Sequence, residues 1–223
     1  MKNRYKIGLI DSGSNIAIEG AFIDIKDEKL QAKELKKDSL GHGTILSNII
    51  KEDNVDIYCA QVFDKELVTT AQTVAFAIDY LVSKNVDLIH MSLGLSNDRE
   101  ILKQSVNKAI EKGILIVASA PSLSTQITYP SFYKGVISVT GDARCTKDNI
   151  SYINCSHAMF GACVMSDDEK VRGSSVAAAY FTKKLAKLHE EGIIDNMQKI
   201  DNIKNNAFIK IAQAALSKKP LYK

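Results

Sequence analysis

The chain has 223 residues, 45% of them hydrophobic, which is enough apolar material for one packed core and sets the expectation of a single domain over residues 1–223. Net charge is +3 and the basic residues are scattered rather than gathered into a stripe, which argues against a nucleic-acid surface. Cys59, Cys145, Cys155 and Cys163 form no C-x-x-C pair and no zinc-like spacing with histidine, and no run is long enough to span a membrane, so neither a metal nor a membrane is an expected partner.

The N-terminus, Met1 to Ile10, runs directly into an apolar segment without a signal-peptide pattern, so a cytoplasmic protein with reduced thiols is expected. Lys6 to Ile10 reads as a buried strand, and it ends in Asp11-Ser12-Gly13. Strand C-terminal ends are where open α/β sheets build sites. Ala21 to Ile25 is a second strand, and Lys26 to Asp38 reads as a polar, lysine-rich connection. From Ser39 to Ile50 the apolar positions 45, 46, 49 and 50 have helical spacing, which places His42 in a first helical turn between Gly41 and Gly43.

Val55 to Val62 reads as a strand and Ala71 to Ser83 as a helix. Val86 to Met91 is a strand followed by Ser92-Leu93-Gly94, and Asp98 to Lys112 is a helix closed by Gly113. Ile114 to Ala120 is a continuous apolar strand ending at Pro121-Ser122, and Val136 to Thr140 is another strand. Gly141 to Lys170 lacks periodicity and is expected to hold loops and irregular strands. Ser175 to Glu191 reads as a long helix, with Lys183, Lys184 and Lys187 on a solvated face, and a last helix is expected at about residues 200–216. Near-continuous apolar strands alternating with amphipathic helices argue for an α/β fold: a doubly wound, mostly parallel sheet flanked by helices, with a core over about residues 6–190.

Gly173-Ser174-Ser175-Val176-Ala177 enters the last strong helix through small residues. A serine there meets unpaired N–H groups and the positive end of the helix dipole. It can serve as an N-cap, or, beside a base, as a nucleophile whose oxyanion is stabilised.

Taken together, Ile7 to Gly13, Gly41 to Thr44 and Gly173 to Ala177 resemble the Asp-Ser/Thr-Gly, His-Gly-Thr and Gly-Thr-Ser-Met-Ala segments of the subtilisin-like serine proteases, the subtilases. Their order is that family's order, Asp, His, Ser. Met91 to Gly94 resembles the family's cleft-lining strand, and Tyr129-Pro130 before the Val136 strand resembles a further segment. The resemblance extends from about Lys6 to Lys187. It implies that Asp11 orients a histidine, that His42 is the general base, and that Ser175 is the nucleophile and lends its N–H to the oxyanion. The implied activity is a cofactor-free serine endopeptidase working through an acyl-enzyme on peptide or protein substrates. Ser92, Leu93 and Gly94, with Ala118, Ser119 and Ala120, match walls of the family's primary specificity pocket, and Thr128 matches a position at its floor. A threonine in place of glycine there implies a shallower pocket that prefers small or medium side chains before the scissile bond.

The chain also departs from the family. Pro121-Ser122 stands where the family carries Gly-Asn, and that asparagine is the second oxyanion donor. Ser122 is then the candidate donor, with Ser124, Gln126 or a bound partner as other sources. Ala179-Tyr180 replaces Pro-His, which implies altered packing. Loops that hold calcium in the family look trimmed, and only ten residues precede Asp11, so a compact member without a pro-segment is expected. Such an enzyme needs another restraint, and a processing role on a precursor peptide, or dependence on an activating protein, would supply it. Other readings are a catalytically weak or silent peptide-binding or partner-binding protein of this fold, and a transamidating ligase or macrocyclase. A phosphate-binding reading of Ile10 to Ser14 leaves His42 and Ser175 unexplained.

Overall fold

A computed structural model describes residues 4–26, 29–121, 127–168 and 171–192. In chain order the elements are β1 (Tyr5–Asp11), β2 (Glu19–Lys26), β3 (Lys29–Glu34), α1 (His42–Ile50), β4 (Val55–Gln61), α2 (Ala71–Ser83), β5 (Leu88–Met91), α3 (Glu100–Glu111), β6 (Leu115–Ser119), β7 (Ile137–Gly141), β8 (Ile150–Tyr152), β9 (Phe160–Ala162) and α4 (Ser174–Glu190). They build one nine-stranded sheet in the order β3-β2-β4-β1-β5-β6-β7-β9-β8. Pairing is parallel from β2 through β9, and only the edge strands β3 and β8 run antiparallel to their neighbours.

Both faces of the sheet are covered, which is why its inner strands read as unbroken apolar runs. Side chains alternate along β1, so Leu9 and Ile10 serve different layers. Ile7 and Leu9 pack with Leu46 and Ile50 of α1 and with Ala177 and Phe181 of α4. Ile10 and Ile89 pack with Val74, Ile78 and Leu81 of α2 and with Leu102 and Val106 of α3. Truncating one of these fully buried side chains, such as Leu9→Ala, costs about 2–5 kcal/mol. The two layers bring the C-terminal end of β1, the start of α1 and the start of α4 to the same edge of the sheet.

One expectation is corrected. The segment from Lys26 to Asp38 is not simply a connection, because β3 pairs antiparallel with β2 through it. Its residues are mostly exposed and lysine-rich. That is how edge strands discourage further pairing, and it hides the apolar alternation by which strands are recognised. Residues 141–170 hold the short strands β8 and β9 among turns. The helix expected at 200–216 lies outside the described residues. Among the described residues no helix is long and apolar enough to cross a membrane.

Candidate active site

Asp11 ends β1 between β4 and β5, and it is fully buried. Its Oδ1 accepts the Ser12 N–H at 2.7 Å and lies 2.7 Å from His42 Nδ1. A carboxylate only accepts, so Nδ1 carries the hydrogen and Nε2 is left as the acceptor. Asp11 Oδ2 is buried without a hydrogen-bond partner among the described residues.

His42 is the first residue of α1, and the helix must come very close to β1 to deliver it. A Cβ on the next residue, Gly43, would lie 2.1 Å from the Gly13 carbonyl oxygen and 3.1 Å from Asp11 Cβ. Only glycine fits. The N-cap, Gly41, has no side chain to offer the first turn, and Asp38 supplies one instead. Its carboxylate accepts from Gly41 N–H at 2.8 Å, Thr44 N–H at 2.8 Å and the Thr44 hydroxyl at 2.7 Å. Burial works against the charged form of Asp38, but the Thr44, Ser12 and Gly41 donors outweigh it and hold its pKa below the usual carboxylate value. Around this pair Gly43 N–H donates to Ser12 Oγ at 3.0 Å, and Gln61 donates to the Ser12 carbonyl at 2.7 Å.

The same charges act on His42. Burial pulls its pKa down, yet the hydrogen bond to Asp11 and the charges of Asp11 and Asp38 leave it raised above the ordinary histidine value. The thiols offer no competing nucleophile beside it. All four cysteines are free, and burial, followed by the charges of Asp11 and Asp38, pushes the Cys59 thiol well up.

Ser175 enters from the other side as the second residue of α4, half-buried at the edge of the cleft. The N-cap is Gly173, at φ 90° and ψ −148°, a conformation open to glycine and costly for other residues. Neither Ser174 nor Ser175 is the cap, and among the described residues no side chain bonds the N–H groups of this first turn. The first-turn N–H groups, that of Ser175 among them, have no partner four residues back and carry the positive end of the dipole.

His42 and Ser175 line one cleft of about 330 Å³ together with Ser92, Leu93, Gly94, Leu95, Phe63, Leu67, Val68 and Thr69. The two side chains share it without a direct hydrogen bond among those formed by the described residues, which is common in unliganded sites that tighten on substrate. Thr128 stands against Gly94: a Cβ there would lie 3.2 Å from Thr128 Cβ. Paired backbone hydrogen bonds between Leu95 and Tyr129, at 2.8 and 2.9 Å, hold the two segments together. Ala118, Ser119 and Ala120 are buried at the end of β6, where Ala118 is in register with Met91, and they are not among the residues that line the cleft. Ser122, Ser124 and Gln126 lie outside the described residues.

Sequence reasoning missed several residues here. Leu67 and Val68 stand 59% and 73% exposed beside the cleft, inside a segment that has no periodic pattern. Asp38 had a readable signal, a carboxylate shortly before a helical run. His90 sits in the apolar run of β5 and looks like core, yet it bonds the Thr182 hydroxyl and the Ser92 hydroxyl, each at 2.9 Å.

A buried carboxylate on histidine Nδ1, with a serine at a helix start in the same cleft, supplies the three residue types from which an Asp-His-Ser hydrolase is built. The chain belongs to the subtilase family, whose model matches residues 3–198. The minor extracellular protease Epr of Bacillus subtilis is 29% identical over 152 residues, which is 60% of this chain and 23% of that protein. The chain thus spans about a quarter of that relative's length. Among solved structures, the epidermin leader peptide processing serine protease of Staphylococcus aureus shares the fold with a TM-score of 0.66 at 14% identity, covering 93% of this chain and 67% of that one. A lanthipeptide protease also gives 0.66, at 20% identity, covering 89% and 78%.

Proposed function

We propose that this chain, taken as a single peptidase domain, is a serine endopeptidase of restricted, processing type. The observation that carries the reading is the 2.7 Å contact from His42 Nδ1 to buried Asp11, in a cleft that His42 shares with Ser175. With Nδ1–H held by Asp11, Nε2 can take the Ser175 hydroxyl proton as Oγ attacks a peptide carbonyl. The C–N bond then breaks, and His42 returns the proton to the leaving amine. Water, deprotonated by the same nitrogen, attacks the ester and frees Ser175. The Ser175 N–H, at the positive end of α4, faces the oxyanion. Ser122 is the proposed second donor, a role whose loss costs roughly 10²–10³ in rate.

For substrate, Ser92 to Gly94 is the proposed wall of the primary pocket, with the buried backbone of Ala118 to Ala120 behind it. Thr128, pressed against Gly94, is its floor, which supports a preference for small or medium side chains before the scissile bond. Two proteins that share the fold, a leader peptide processing protease and a lanthipeptide protease, support a precursor peptide as the substrate class. Free thiols fit a reducing compartment such as the cytoplasm.

Digestion of a peptide library, read by mass spectrometry, tests both points for the wild type and Thr128→Gly. Free carboxyl ends after small or medium residues are expected, and Thr128→Gly should admit larger ones. A wild-type preference for large aromatics would overturn the pocket assignment, and joined or cyclised products would replace hydrolysis by transamidation.

A further inference from the structure

Fully buried His90 plays no part in the chemistry above, yet it faces the helix that carries Ser175. It belongs to β5, in register with Leu9 of β1 and Val117 of β6, so it sits in the middle of the sheet where an aliphatic residue would be ordinary. One ring nitrogen, Nδ1, lies 2.9 Å from Thr182 Oγ1 on α4. The other, Nε2, lies 2.9 Å from Ser92 Oγ at the head of the cleft wall. Ser92 Oγ in turn donates to the backbone carbonyl of Ser175 at 3.3 Å. Thr182 and Ser175 are seven residues apart, about two helical turns, and so share a face of α4. The imidazole therefore ties β5 to α4 at two points, one of them the nucleophile's own peptide group.

The direction of each bond follows from the donors available. The Ser175 carbonyl can only accept, so the Ser92 hydrogen goes to it. Ser92 Oγ must then receive its other bond from His90 Nε2–H. A neutral imidazole with its hydrogen on Nε2 has a bare Nδ1, which accepts the Thr182 hydroxyl. The chain runs one way, from Thr182 through His90 and Ser92 to Ser175, and it needs one tautomer. An imidazolium would place hydrogens on both nitrogens and strand the Thr182 hydrogen. Burial, with a smaller contribution from the charge of His42, draws the His90 pKa down to about 3, which keeps the ring neutral.

We propose that His90 is a positioning residue for the nucleophile: its Nε2–H tautomer, fixed by Thr182, holds Ser92 on the Ser175 carbonyl and so sets the first turn of α4 against the cleft wall. This rests on the serine-peptidase reading of the same site. The orienting effect is on the reacting oxygen rather than on substrate affinity, so it belongs in kcat.

Two measurements on the full chain test it. In ¹⁵N spectra of histidine-labelled protein, His90 should remain a neutral Nε2–H imidazole from about pH 5 to about pH 9, without titrating. Hydrogen on Nδ1, or a titration in that range, would overturn the proposal without any variant being made. In peptide hydrolysis, Thr182→Val should lower kcat about tenfold with KM within about twofold, and Thr182→Ser should restore it. A Thr182→Val protein with wild-type kcat and only a lower Tm would reduce the chain to packing and overturn the positioning role alone. No hydrolysis by the wild type, together with no labelling of Ser175 by a fluorophosphonate, would remove the peptidase reading and the positioning role with it.

Discussion

His42, backed by buried Asp11, is set at the cleft by a mesh of side-chain hydrogen bonds, whereas Ser175 enters it from a helix start that no side chain among the described residues caps. On the first side two buried carboxylates, Asp11 and Asp38, act on one imidazole and fix its tautomer, its orientation and its basicity. On the second side it is backbone groups that are placed, by the turn at Gly173 and by the Ser92 hydroxyl. Gly173 turns the chain, the helix start leaves its N–H groups without intrahelical partners, and Ser92 holds a carbonyl. The proposed base is preset by charge and the proposed nucleophile by position. Substitutions on the first side should therefore change chemistry and pH dependence, and those on the second should change geometry.

The largest effect that would sharpen this contrast is Asp11→Asn. The carboxamide keeps the shape but lets the imidazole take the wrong tautomer, and kcat should fall by about 10⁴ with the fold retained by circular dichroism. A fall of less than about tenfold would break the contrast at its root. Gly43→Ala comes next. Its Cβ would collide with the Gly13 carbonyl, and α1 cannot retreat without withdrawing His42. A loss of about 3 kcal/mol or more is expected, seen as a lower denaturation midpoint.

Asp38→Asn acts more mildly and through pH. The capping bonds are weakened, for about 1–2 kcal/mol of stability. His42 must be neutral to act as a base, and its pKa is raised above the ordinary 6.5, so the acid limb of kcat/KM should lie above that value. Removing the Asp38 charge should move the limb to lower pH, and an unmoved limb would separate Asp38 from the base. The signs for stability are opposite. The raised His42 stabilises the fold below about pH 6.5, a contribution lost as pH rises through its folded value. The depressed Asp38 contributes above its ordinary value of 3.8, and that contribution is lost as pH falls through the folded one. The smallest effect is expected far along α4, where Lys183 and Lys187 both pair with Glu52 at 3.1 and 3.2 Å on a partly exposed surface. Lys187→Ala should change stability by about 0.5 kcal/mol or less and leave kcat unchanged.

The same contrast decides what was legible in the sequence. Asp11, His42 and Ser175 stand out because each follows from a local pattern: an acidic residue after an apolar strand, a histidine between glycines at a helix start, a serine after glycine before a run of alanines. The central strands are legible because burial on both faces leaves them apolar throughout. β3 is not, since an exposed lysine-rich edge strand carries little apolar alternation. His90 and Thr182 are invisible in sequence because their meaning is a contact across 92 residues between a strand and a helix. Asp38 was readable as a cap, but its electrostatic hold on His42 needs the fold. Thr128 was placed by resemblance, and its closeness to Gly94 comes from the bridge between Leu95 and Tyr129.

The central claim is that the cleft activates Ser175. Its most direct test is intact-protein mass spectrometry after treatment with a fluorophosphonate probe, run on wild type, His42→Ala and Ser175→Ala. A single adduct on wild type, absent from Ser175→Ala and strongly slowed in His42→Ala, is the predicted result. A folded wild-type protein that takes no adduct, or one labelled equally well without Ser175, would contradict it.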